Sequence, residues 1–322
     1  MRFRHRADWR TAVWAFGLMP GVAAVQYVWP ALAGWLLPLA MYASYSAAVI
    51  AHNHNHCPTF VGRHTNAVFS TWISIFYGFP TYGWIPTHNE NHHRHVGRAG
   101  DATVIVDPAR PDDAWTALTH FFRSTKTQGP LLTRYRQRLF ERSKRAWLHV
   151  CLQYVVVFGG HAALCVLAIA LHGAKTGVLV YLSALGIPAF MALWGVQFTN
   201  WVQHVSCDPA SRWNHSRNFV SPWMNALVFD NGFHTVHHER AGLHWSLARA
   251  EHAKVAHLID PRLNAESIFH YAFETYLLGR PSTGQRSGGH KVGSSSSLTA
   301  DPLRLRKITR RCDEPTPQPL LE

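Results

Sequence analysis

Three long stretches of the 322-residue chain contain no lysine, arginine, aspartate or glutamate: residues 11–51, 146–174 and 176–207. Charge-free runs of that length are foreign to soluble proteins and point to membrane-spanning segments. Aspartate and glutamate are missing from every one of them, which speaks against a transporter with ionisable groups at mid-membrane. Cysteine is also sparse. Cys57, Cys151, Cys165, Cys207 and Cys312 form no C-x-x-C pair, which argues against a zinc ribbon, an iron–sulfur cluster or a disulfide framework. Reduced thiols in a cytoplasm-facing protein are the plain reading. There is no H-P-G-G haem-binding stretch and no G-x-G-x-x-G after a predicted strand, so any reducing equivalents the chain needs are expected from a separate protein.

Positive charge, in contrast, is plentiful. Lysine and arginine number 31 against 18 acids, for a net charge of +13. The basic residues lie between the apolar blocks and near both termini. That distribution fits anionic lipid on the cytoplasmic side, not nucleic acid. The basic start "MRFRHRADWR" imitates a signal peptide, but the apolar run behind it is far too long for one and reads as an anchor.

A charge-free run of 41 residues would make a helix of roughly 60 Å, about twice the ~30 Å of bilayer hydrocarbon. It is expected to cross twice, turning near "VWPALAG", where Pro30 and Gly34 interrupt the helix. Residues 146–174 supply a third crossing, "HGAKTG" (172–177) a turn, and residues 177 to about 200 a fourth. Arg2, Arg4, Arg6 and Arg10 precede the first crossing, and Arg123, Lys126, Arg134, Arg136, Arg138, Arg142, Lys144 and Arg145 precede the third. The positive-inside rule then puts the N-terminus, the central loop and the C-terminus in the cytoplasm. Residues 64–89 are uncharged as well, but Gly78, Pro80, Gly83 and Pro86 mark them as interfacial or re-entrant. The expected architecture is an all-α integral membrane protein with four transmembrane helices in two hairpins and a cytoplasmic, histidine-rich helical cap. Residues 1–10 form its basic N-terminus, 11–280 the membrane domain and 281–322 a Gly/Ser-rich disordered tail.

Histidine is the abundant reactive residue, with 23 copies. Four stretches carry it in a pattern: "AHNHNHC" with His52 and His56, "HNENHHRH" with His88, His92 and His93, "NWVQH" with Asn200 and His204, and "HTVHH" with His234, His237 and His238. Residues three or four apart share a helix face, so each stretch presents a pair or trio of side chains together. Under the four-crossing topology all of them gather at the cytoplasmic boundary. They exceed what one tetrahedral zinc needs. Two metal ions sharing them is the economical reading, and imidazole alone does not choose between Fe, Zn, Cu and Ni. The competing reading is a set of interfacial polar side chains that satisfy one another.

The spacings H52-x3-H56, H88-x3-H-H93 and H234-x2-H-H238 resemble the three histidine boxes of the membrane fatty acid desaturase superfamily. Asn200-x3-His204 resembles the additional Asn/His element of its acyl-CoA desaturase members, and the likeness covers roughly residues 40–275. What the resemblance implies is a non-haem centre of two iron ions, with His52, His56, His88, His92, His93, His204, His234, His237 and His238 as ligands. Asn200 would act through a water or as a weak ligand. It further implies O2 as co-substrate, a fatty acyl lipid as substrate and a separate electron donor of ferredoxin or cytochrome b5 type with its reductase. The expected activity is desaturation. "WNHSRNF" (213–219) is similar to an element of membrane alkane hydroxylases, which keeps a fatty acid or alkane hydroxylase open. "GLHWSL" occurs in bacterial desaturase-like members.

The neighbouring His54, His95, His215 and His244 are off-pattern. They are expected to support the ligands from outside, with Glu90, Asp101 and Glu239 as natural hydrogen-bond acceptors. His149, His161 and His172 lie along the third crossing. A haem there would need a partner histidine on the fourth, which has none before His204. A hydrogen bond to a neighbouring helix is the expected role of His161. The basic run 134–145 reads as lipid-facing or solvated surface, with docking of an acidic electron donor or acyl carrier as the alternative. A histidine-rich metal transporter is the non-enzymatic competitor.

Overall fold

The computed structural model describes residues 2–105 and 112–280; the tail expected to be disordered lies outside them. Helix dominates. Helices α1 (Asp8–Val28), α2 (Pro30–His56), α6 (Lys144–His172) and α7 (Ala174–His204) are long and apolar enough to cross a membrane. Between α2 and α6 come α3 (Arg63–Tyr77), α4 (Ile85–His92, continued by His93–His95) and α5 (Ala114–Arg142). After α7 follow the short helices α8 (Pro222–Leu227), α9 (His234–Glu239), α10 (Ala248–Val255) and α11 (Ile268–Ala272). The helical fold is as expected, with one small non-helical pairing. Strands β1 (Asn218–Phe219) and β2 (Asn264–Ala265) pair in parallel, Asn218 opposite Asn264.

The chain divides into two compact units. Among the described residues, the first comprises 2–88 and 126–197 and the second 89–105, 112–125 and 198–280.

In the first unit, the chain breaks between α1 and α2 at Trp29, whose φ of −124° and ψ of 80° leave the helical region before Pro30 restarts it. The break between α6 and α7 is shorter than the sequence suggests. It is the single residue Gly173, with φ +75°, and α7 starts at once. Four residues later Gly177 explains how two apolar helices approach so closely. A Cβ there would meet the Ala168 carbonyl oxygen at 2.4 Å, the small-residue contact by which helices pack where no hydrophobic effect drives them together. The polar side chains of these helices are spent on one another. Tyr27 Oη donates to Leu164 O (3.0 Å), and Ser183 Oγ donates to Gln26 Oε1 (2.8 Å). His161 lies within hydrogen-bond distance of the Ile75 carbonyl through Nε2 (2.8 Å) and of Tyr181 Oη through Nδ1 (3.0 Å). In a neutral ring the first bond takes the N–H and the second the lone pair. The outward face of α6 carries exposed Leu148, Leu152, Val155, Phe158, Val166 and Leu171. An apolar face of that length suits acyl chains and not water.

Helix α3 has 15 residues, about 22 Å of length, too short for a ~30 Å hydrocarbon layer. Its start is pinned instead by one amide side chain. Asn66 accepts from Phe60 N and donates to Phe60 O, both at 2.9 Å.

The second unit has its own core, with Trp201, Val202, Val205, Phe219, Met224 and Tyr271 buried together. Its polar frame is Asn218 and Asn225. Asn225 donates to Phe219 O (2.7 Å) and accepts from Gly232 N (3.0 Å), while Asn218 accepts from Thr235 N (2.9 Å). These bonds fix the loop that leads into α9.

Candidate metal centre

Helix α2 ends with His52 and His56 one turn apart, their rings 5.0 Å from centroid to centroid. In the same unit α4 contributes His88, whose Nε2 lies 2.9 Å from His52 Nε2. Ligand atoms of His52, His56 and His88 fall within 4.8 Å of one another, a group able to hold a metal ion. Trp84 packs against His52 and His88 with centroids 5.2 Å from each. His54, two residues from either ligand candidate, points elsewhere as helical spacing requires. Its Nδ1 accepts from Thr59 N (3.2 Å) and pairs with Thr59 Oγ1 (3.0 Å).

The second unit gathers His92 from α4, His204 from the end of α7, and His234 and His238 from α9, again within 4.8 Å. Three Nε2 atoms form a triangle: His204 to His234 2.9 Å, His204 to His238 3.1 Å, His234 to His238 3.0 Å. A ring nitrogen offers one in-plane site, either an N–H or a lone pair. Three such sites aimed at one point cannot all be satisfied by hydrogen bonds among themselves, whereas a central cation satisfies all three. Nitrogens bound tetrahedrally at the ~2.0–2.1 Å typical of imidazole–metal bonds stand roughly 3.3 Å apart, close to this spacing. The donor set therefore fits a metal.

Two hydrogen bonds orient the rings from behind. His204 Nδ1 lies 3.0 Å from the His215 carbonyl oxygen. A carbonyl only accepts, so Nδ1 carries the proton and Nε2 the lone pair. His92 Nδ1 lies 2.7 Å from Asp101 Oδ2, both side chains wholly buried; a carboxylate only accepts, so Nδ1 donates to it and Nε2 is turned towards the other rings. Burial alone would raise the Asp101 carboxyl. The proximity of His92 and N–H donation from Gly97 and Thr103 outweigh it and hold the group below the usual carboxylate range. At His238 burial, followed by the neighbouring His234, His93, His92 and His204, pushes the imidazole well below its ordinary value. It stays neutral at neutral pH, the form that binds metals. His93 and His237 form a further pair, Nε2 to Nε2 3.0 Å.

A model of the fatty acid desaturase family matches residues 27–268. The chain belongs to the fatty acid desaturase family. Family membership makes it an oxidoreductase, and the four long apolar helices make this desaturase-family protein a membrane protein. Neither a curated protein nor a solved structure gives a significant match.

Around these groups, the remaining sequence candidates of the desaturase-family chain separate by place. Asp101 meets His92, and the His215 ring stands 5.3 Å from that of His238. His244 instead caps the turn Trp245–Leu247, its Nδ1 accepting from Ser246 N (3.3 Å). Glu239 pairs with Arg212 at 2.9 Å near the surface, Glu90 is exposed, and the His95 ring lies against Gly100. Asn200 Nδ2 donates to Thr103 Oγ1 at 3.1 Å. Thr103, which accepts that bond, and His120, whose Nε2 donates to the Thr103 carbonyl at 2.8 Å, are outside every histidine box. Their only sequence signal was nearness to Asp101 and to a polar position on an otherwise amphipathic helix.

Proposed function

We propose that the protein is an O2-dependent di-iron fatty acid desaturase that introduces a double bond into a fatty acyl chain. The observation that carries this reading is the pair of histidine groups, His52–His56–His88 and His92–His204–His234–His238, each with a geometry suited to one ion, in a chain of this family. Bound iron would supply the reduction of O2 to two waters, with two electrons and two protons from a donor and two hydrogens taken from adjacent carbons.

The chain's residues do the holding. The imidazoles turn Nε2 inward because Nδ1–H donates outward, to Asp101 from His92 and to the His215 carbonyl from His204. His93 and His237 are the further ligand candidates, and Asn200 stands beside the set with its amide bonded to Thr103. The four crossings form two hairpins, and the histidine-bearing segments and both termini face the cytoplasm, where basic residues flank the apolar segments. Electrons come from a separate donor, a ferredoxin or cytochrome b5 with its reductase.

A hydroxylase on the same centre is the second reading, favoured by the contact of His215 in "WNHSRNF" with His238. Purified protein reconstituted with iron, reductase and donor, given acyl substrates under O2, separates the two by mass spectrometry of the chains. A loss of two hydrogens supports desaturation. A gain of one oxygen overturns it in favour of hydroxylation, and unaltered chains from an iron-loaded, reducible protein overturn both.

A further inference from the structure

Residues 96–104 make a tight loop in the second unit, and its centre is a carboxylate with every lone pair engaged. Asp101 Oδ2 accepts from His92 Nδ1 (2.7 Å) and Gly97 N (2.8 Å). Asp101 Oδ1 accepts from Thr103 N (2.9 Å), Thr103 Oγ1 (2.8 Å) and Val104 N (3.2 Å). A buried carboxylate with five donors has little freedom to rotate, so it fixes the ring it accepts from.

Thr103 ties this loop to two helices. Its hydroxyl has one proton, and Asp101 as an ionised carboxylate only accepts, so that proton goes to Asp101. The hydroxyl lone pair is then left to take Asn200 Nδ2 from α7, at 3.1 Å. The same argument sets the orientation of the Asn200 amide, since its oxygen could not donate to Thr103. The Thr103 carbonyl accepts from His120 Nε2 on α5 at 2.8 Å and, at 3.4 Å, from Ser124 Oγ. One residue thus connects α5 and α7 to the carboxylate that orients His92. Its side chain and those of His120 and Ser124 are buried.

We propose that Thr103 is a positioning residue for the metal group of the second unit, and that Asn200 acts on that group through Thr103, Asp101 and His92. The proposal rests on the di-iron reading above. The hydroxyl does not touch the ion. It holds the carboxylate that holds the ring, and loosening such an outer partner lowers metal affinity by about 10–100-fold. Because Asp101 meets only His92 among the ligand candidates of both groups in these hydrogen bonds, the loss is confined to one of two ions.

The test compares wild type with Thr103→Val, which keeps the β-branched shape, and Thr103→Ser, which keeps the hydroxyl. Iron per chain and affinity by chelator competition are read together with the unfolding temperature of the metal-free proteins. The expected result is two irons of high affinity in wild type and Thr103→Ser. In Thr103→Val one iron is weakened about 10–100-fold and the other is unchanged. Metal-free unfolding temperatures that fall in parallel for the Val and Ser variants, without a selective loss of iron, would overturn the positioning role. So would two irons of wild-type affinity in Thr103→Val. Wild type that takes up no iron defeats the di-iron reading itself, and the proposal with it.

Discussion

His204 and His234, thirty residues apart, bring their Nε2 atoms to 2.9 Å. The contact is not an ordinary hydrogen bond of convenience. His204 has placed its proton on Nδ1 to meet the His215 carbonyl, and His238 approaches both nitrogens at 3.0–3.1 Å. Three ring nitrogens from two helices thus converge on one point, the arrangement that suits a metal ion.

Replacing His238 by alanine removes one corner of that triangle. About one of the two irons expected per chain should be lost, since removal of a ligand costs far more than removal of an outer partner. Metal analysis of the detergent-purified variant checks this. Iron content equal to that of wild type would leave the triangle without a metal role. Chelation of wild type should also lower its unfolding temperature, because an ion that binds only the folded protein stabilises it by mass action.

His54 provides the contrasting case. It is buried at the end of α2 and accepts from Thr59 N, yet it faces away from His52 and His56. His54→Ala should retain both irons and lose about 1–3 kcal/mol of stability through the orphaned Thr59 amide. Loss of iron in step with loss of stability would place His54 in the metal group after all.

Acid should weaken the fold through His120. Burial, only partly offset by its bond to the Thr103 carbonyl, lowers this imidazole from 6.5 to about 4. Between those values the unfolded chain binds the proton and the folded one does not, so stability falls as pH drops from about 6.5 to 4. The His120 contribution levels off below, after a loss of about 3 kcal/mol. His120→Gln keeps a donor for Thr103 but cannot titrate. Metal-free unfolding temperatures across this range should fall less steeply for the variant than for wild type. Identical slopes would show that His120 does not titrate there.

Gly232 sits two residues before His234, with Phe219 N donating to its carbonyl at 2.9 Å. A Cβ added there would lie 2.2 Å from Phe219 O and 2.5 Å from Asn225 Oδ1. Backbone on one side and a buried, hydrogen-bonded amide on the other leave no room to give. Gly232→Ala should destabilise by about 1–3 kcal/mol or more and lower the iron content, because the displaced loop carries α9. Wild-type unfolding and iron content would show that the loop can move.

The sequence alone determined the periodic features. Charge-free runs longer than a bilayer require crossing helices, and histidines three or four apart must share a helix face; both follow from local geometry, with no reference to the rest of the chain. The helices α1, α2, α6 and α7 and the turning away of His54 were legible for that reason. What supports a ring from behind was not legible, because a hydrogen bond is decided by where distant segments meet. Asp101, Glu90 and Glu239 were equivalent as acids beside histidines. Tertiary structure gave Asp101 to His92, Glu239 to Arg212 and left Glu90 exposed. It made a backbone carbonyl, that of His215, the partner of His204, and it made Thr103 the junction of two helices and a carboxylate. Backbone acceptors and single hydroxyls have no spacing rule, so only the folded chain could select them.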